Sequence, residues 1–186
     1  MSDQSPHQIT DLLLQIRGGK SDSLERLLPL VYGELHRIAS RRVQGRDQTI
    51  GATSLVHEAY LKLFQGAGID VQTRGHFFAV AATAMRQIIV DRARAHLADK
   101  RGGAHRRVTL EDELAATDDQ AEQAVALDDA LDRLEALDPR LRRVVECRFF
   151  GGLTEDETAE AVGVTSRTVR SDWVKARALL GSWLRD

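Results

Sequence analysis

The stretch from Thr154 to Leu184 constrains the chain most, because it spells two capped helices joined by one glycine. Thr154 can accept from the amide of Glu157, and Glu157 can return the bond, the reciprocal arrangement that opens a helix. Gly163 ends that helix, and Thr165 can cap the next, expected from Ser166 to about Leu184. Ala159, Gly163 and Val169 stand four and six residues apart. That spacing builds a helix-turn-helix: the small residue lets the helices approach, glycine takes the left-handed turn, and Val169 plants an apolar side chain in the shared core. Val162 and Val164 add apolar contacts at the turn. The second helix then presents Ser166, Arg167, Thr168, Arg170, Ser171, Lys175 and Arg177. Short hydroxyls among long cations are what phosphates and base edges require of a helix lying in a groove. The free amides at the start of such a helix suit a phosphate as well.

Helical periodicity runs through the rest of the chain. Ile9, Leu12, Leu13 and Ile16 form a stripe that Gly18-Gly19 ends, and a longer stripe runs from Ser23 to Val43, with Pro29 a possible kink or restart. Thr53 to Phe64 reads as a compact helix with Thr53 at its N-cap, and Gln65 to Gly75 as a loop. His76 to about Lys100 reads as a long helix, apolar in its first half and basic in its second, stopped by Gly102-Gly103. Helix resumes at Ala124, and Asp138-Pro139 is an N-cap followed by proline in the first turn. The expected fold is all-α. Two small helical domains, 1–102 and 124–186, are joined by a flexible linker over 103–123, and the second is the helix-turn-helix.

The formal net charge is only −2, but the charge is sharply segregated. From Ala84 to Arg107 there are seven cations and two acids; from Val108 to Asp138 there are eleven acids and one cation. A basic block abuts an acidic one, and the near-neutral total hides both.

Several function classes fall away. Cys147 is the only cysteine, so it reads as a half-buried core thiol, with no disulfide or zinc site. No apolar run approaches the ~18 residues of a membrane span, and the polar N-terminus is no signal peptide; a cytoplasmic protein is expected, with no membrane partner. His57-Glu58 resembles the start of a zinc-protease helix, but the second histidine would fall at 61, which is leucine. No nucleophile–base arrangement is present, so neither an enzyme nor a metal or other cofactor is expected. Beside these stand two further classes. A stand-alone helix-turn-helix regulator would need a receiver or ligand domain upstream, and no alternating strand–helix pattern supplies one. A protein-interaction adaptor would use its basic helices without reading DNA.

From Leu153 to Leu180, LTEDETAEAVGVTSRTVRSDWVKARALL resembles the fourth domain of extracytoplasmic-function (ECF) sigma factors, bacterial proteins that carry core RNA polymerase to promoters. LEALDPRLRRVVECRFFGG resembles the helix leading into it. LVHEAYLKLF, Leu55 to Phe64, resembles the second-domain helix that grips the clamp helices of the polymerase β′ subunit, and HFFAVAATAMRQIIVDRARA resembles the helices that melt and read the −10 element. The resemblance covers nearly the whole chain outside the linker. It implies −35 DNA contacts from the seven polar residues of the last helix and −10 contacts from Arg86, Gln87, Asp91, Arg92 and Arg94. The loop from Gly68 to Gly75 would receive an unstacked base. Polymerase contacts from Thr53, Ser54, Leu55 and Glu58 are implied too, with core RNA polymerase (β′ clamp helices and β flap) and promoter DNA as partners. Ile88, Ile89 and Val90 read mostly as core. Two promoter elements ~15 base pairs apart lie ~50 Å from each other, and ~20 extended residues reach ~65 Å, so one tether can serve both. Acids of the linker, among them Glu111, Asp112, Glu113, Asp118 and Asp119, are candidates to shield the basic surfaces.

The chain departs from the family in one place that matters for polymerase. Where the family usually carries an acidic cluster at the start of its clamp-binding helix, this chain has Gly51, Ala52, Thr53 and Ser54. A phosphate on Thr53, or on Ser54, would restore about −1.5 to −2 charge, which implies a Ser/Thr protein kinase as a partner and phosphorylation as the switch. Thr158, Asp172 and Trp173 also stand where the family tends to have apolar, basic and apolar residues.

Overall fold

Eight α-helices and one π-helical turn are formed by the described residues of the computed structural model. It describes residues 5–18, 22–41, 48–64, 71, 73–102 and 117–185, and within these the side chains of 5–7, 48–50 and 100–102 lie outside the description. The helices are α1 (Ser5–Arg17), α2 (Asp22–Ser40), α3 (Gln48–Phe64), α4 (Arg74–Gly102), α5 (Asp118–Leu137), α6 (Pro139–Val145), α7 (Glu155–Val162) and α8 (Ser166–Trp183), with the π-turn at Glu146–Phe150 between α6 and α7. The all-α expectation holds among the described residues. α2 continues without a break across Pro29, which is exposed.

Two of the expected boundaries move. α3 begins at Gln48, so Thr53 is not its N-cap but lies more than a turn inside the helix. The expected linker residues 118–123 belong to α5, because Thr117 caps it: the Gln120 amide donates to Thr117 Oγ1 and the Thr117 amide to Gln120 Oε1. The rest of that linker, 103–116 with Glu111, Asp112 and Glu113, lies outside the described residues, as does half of the expected loop from Gly68 to Gly75, whose last two residues open α4.

α4 is the spine of the fold. Its first half packs Phe77, Phe78, Ala81 and Met85 against Leu12, Leu27, Val31, Leu35, Leu55, Val56 and Ala59 of α1, α2 and α3. The opposite side of α4 meets α5, the π-turn and α7. There Leu131, Leu134, Leu141, Val145, Phe150 and Leu153 join the same apolar core, together with Ala176 and Leu180 of α8. The helices of the two expected domains therefore share one core. Burying a large aliphatic or aromatic side chain contributes ~1.5–3 kcal/mol, so this seam is a substantial contact. Gly75 lies on it: a Cβ there would stand 3.2 Å from the carbonyl of Glu157 on α7.

Candidate nucleic-acid interface

The helix-turn-helix forms as its local chemistry dictates. Thr154 and Glu157 make the reciprocal cap of α7, and Thr165 Oγ1 accepts from the Thr168 amide at the start of α8. Gly163 takes φ 75° and ψ 38°, and its amide and that of Val164 both close on the Ala159 carbonyl. Ala159 and Val169 then meet Val144 of α6 in a small apolar cluster, with Val162, Val164 and Trp173 around it.

One face of α8 is buried through Val169, Asp172, Ala176 and Leu180, a spacing of three and four residues. The opposite face is open. Arg167, Arg170, Ser171 and Val174 line a shallow concavity on it. Arg167, Arg170, Ser171, Lys175 and Arg177 are exposed, and Ser166 and Thr168 are half-buried. Several of these groups are already engaged. Arg170 donates to Glu155 Oε2 at 2.8 and 3.2 Å, and that bond holds the Glu155 carboxyl below its ordinary range. Ser166 bonds Asp156, the Thr168 hydroxyl lies 2.9 Å from that of Thr165, and the Arg177 guanidinium sits over the Trp173 ring.

The departures at Asp172 and Trp173 acquire structural reasons. Asp172 is buried and accepts from Arg140 Nε at 2.7 Å, which ties α8 to α6. The guanidinium groups of Arg148 and Arg177 each lie 5.8 Å from the centre of the Trp173 ring. Thr158 is fully buried, and its hydroxyl has no hydrogen-bond partner among the described residues. Cys147 is buried rather than half-buried, and burial pushes its thiol up to about 12, so it is inert at neutral pH.

The five residues assigned to the −10 face do not stay together. Gln87 is exposed. Asp91 is exposed and lies 3.9 Å from Lys62 of α3, and Arg92 pairs with Glu58 of α3. Arg86 is a correction: only 5% of it is exposed, and it is paired with Asp128 of α5 and, at 3.1 Å, with Glu146 of the π-turn. It cannot touch DNA in this conformation. Arg94 reaches Asp128 at 3.0 Å and Asp129 at 3.6 Å. Ile88 and Val90 are buried, as expected of core residues, and Ile89 is partly buried.

Sequence reasoning missed the acids that hold these arginines. Glu146 also accepts from Arg142 at 3.2 Å and lies 3.2 Å from the Thr83 hydroxyl, while Arg142 reaches Asp132 at 2.7 Å. A further pair, Arg74 with Glu157 at 2.5 Å, joins the start of α4 to α7. Burial opposes the Glu157 charge, but the Thr154 amide and hydroxyl and Arg74 outweigh it and hold the carboxyl below its ordinary range. A signal was present: Ala82, Arg86, Val90, Ala93 and Leu97 fall on one stripe of α4, so Arg86 interrupts an otherwise apolar seam.

The polymerase-facing set also divides. Leu55 is a second correction, since it is 1% exposed and belongs to the core. Gly51 and Ala52 are buried as well. Thr53 is exposed, and Ser54 and Glu58 are half-buried.

A family model for the ECF sigma factor matches residues 6–186. The chain belongs to the ECF sigma factor family. No curated protein matches it. The match spans both expected units, so the order of motifs along the chain and the family agree. Membership makes this ECF sigma factor a transcription-initiation protein of a non-catalytic family, with core RNA polymerase and promoter DNA as its partners. No helix among the described residues is long and apolar enough to cross a membrane.

Proposed function

We propose that this sigma factor reads the −35 element with the open face of α8 and the −10 element with α4, while α3 meets the β′ clamp helices of core polymerase. The observation that carries the reading is α8 itself. It is capped and held by its buried face, and it offers Arg167, Arg170, Ser171, Lys175 and Arg177 to solvent from one side. Ser166 and Thr168, near the helix start, would meet phosphates there. Gln87, Asp91, Arg92 and Arg94 form the accessible part of the −10 set, and Arg86 joins them only when α4 parts from α5. The C-terminal unit would also meet the β flap, with residues 103–116 as the tether between units.

Run-off transcription with purified core polymerase tests this reading. Wild type should start from a defined promoter, and Arg167→Ala should lower initiation without changing core binding. Absence of promoter-specific initiation by wild type would refute it.

Thr53 phosphorylation is the proposed switch, with Ser54 as the second candidate site. What supports it is position: of Gly51 to Ser54, only Thr53 falls among the exposed residues, so a charge added there would meet a partner rather than the core. Inside the helix the phosphate gains little from the helix dipole, which acts within the first turn. Its effect would come from arginines of the partner. Pull-down of core polymerase should rank phosphorylated protein and Thr53→Glu above Thr53→Ala. Equal capture of all three would end the proposal.

A further inference from the structure

The open face of α8 carries one residue whose chemistry the proposed −35 contacts leave unused. Val174 is 64% exposed, the most open of the large apolar side chains among the described residues. Helix geometry places it opposite the buried stripe of Val169, Asp172, Ala176 and Leu180. It stands one turn beyond Arg170 and Ser171 and two turns beyond Arg167, and these four residues line the same shallow concavity. Further along that face come Ala178, which is exposed, and Gly181, where an added Cβ would meet nothing within 4 Å. Both are too small to hold the wall of a groove away from Val174. A lone exposed valine is ordinary on most surfaces. This one sits in the middle of a cationic face, and its branched side chain gives the helix no advantage there.

We infer that Val174 reads a thymine of the −35 element, packing its methyl groups against the 5-methyl group of the base in the major groove. Of the four bases only thymine puts an apolar group on that edge, and neither a cation nor a hydroxyl can detect it. The inference rests on the reading of α8 as the −35 helix, and adds to it a base identity and a register. Val174 lies four residues from Arg170, ~6 Å along the helix axis, and base pairs stack ~3.4 Å apart. The thymine therefore falls one or two base pairs from the position that Arg170 meets. Removing one methyl-sized group from such a contact should weaken binding about fourfold.

Deoxyuridine pairs as thymidine does but lacks the methyl group, so it isolates the contact. Holoenzyme assembled from the full chain and core polymerase first selects its −35 element from promoter duplexes randomised at that element. Each thymine of the selected element, on either strand, is then replaced in turn by deoxyuridine. Binding is measured for wild type, Val174→Ala and Arg167→Ala. Position 174 is exposed, so alanine there leaves the core untouched, and circular dichroism verifies the fold. Wild type should lose about fourfold in affinity at one thymine. Val174→Ala should bind the unsubstituted duplex about fourfold more weakly and be indifferent to deoxyuridine at that one position. Arg167→Ala should weaken binding yet keep the methyl dependence. An element without thymine, no loss at any thymine, or a loss as large in Val174→Ala as in wild type overturns the assignment and leaves the −35 reading of α8 standing. Selection of no element, or binding unaffected by Arg167→Ala, overturns the −35 reading and the assignment with it.

Discussion

Replacing Arg86 with methionine should cost more stability than any surface change in this chain. The side chain is 5% exposed and faces two carboxylates that are themselves 9% and 11% exposed. Removing one partner of a buried ion pair costs ~3–5 kcal/mol, because the remaining charge stays out of water. Here both acids keep a second cation, Asp128 with Arg94 and Glu146 with Arg142, so the low end applies, about 3 kcal/mol. With a urea dependence near ~2 kcal/mol per molar, the midpoint should fall by roughly 1.5 M. The two tryptophans, Trp173 and Trp183, both lie in α8. Their fluorescence therefore reports the C-terminal helices, while circular dichroism reports the whole chain. In wild type the two curves should coincide, as one shared core requires. In Arg86→Met they should separate, since the lost bonds are those joining the halves. A triple change, Arg86→Met with Asp128→Leu and Glu146→Met, should recover most of the loss by substituting apolar packing for the network. A midpoint shift under about 0.3 M, near ~0.6 kcal/mol, with coincident curves would refute the argument and return Arg86 to the solvent.

Gly163→Ala should destabilise by ~1–2 kcal/mol, read by urea melting, because φ is 75° and nothing within 4 Å of the new Cβ adds a clash. Thr158→Val should be neutral or stabilising by up to about 1 kcal/mol, since it deletes a buried hydroxyl with no partner and keeps the shape. Glu155→Gln should tighten binding of −35 duplex DNA, because Glu155 competes with phosphate for Arg170; titrations against salt should show the gain shrinking as ionic strength rises.

The helix-turn-helix was legible because its determinants are local. Each cap spans three residues, Gly163 needs only its own φ, and the Ala159–Val169 contact follows from helix geometry. The surroundings of the α4 arginines were not legible for the opposite reason. Arg86 and Asp128 are 42 residues apart, and Arg86 and Glu146 are 60 apart. A run of arginines on a helix reads the same whether water, DNA or a distant carboxylate faces it. The start of α5 was hidden differently: Thr117 and Gln120 form the cap inside a block of acids, where charge suggested a solvated tether.

Charge segregation takes on a physical meaning once α4 and α5 are seen in contact. A basic helix left bare would hold nonspecific DNA at every phosphate it met, with an affinity set by salt rather than by sequence. Covering it with carboxylates of the same chain trades those contacts for internal ones at no cost in net charge. Reading both promoter elements with one chain, as proposed, requires the two helical units to separate. A chain of this length folded as one body has a radius of gyration of about 16 Å, hence a width near ~40 Å, while promoter elements of the kind the family reads lie ~50 Å apart. Polymerase must then supply what the seam loses on opening, by contacts that favour the separated units.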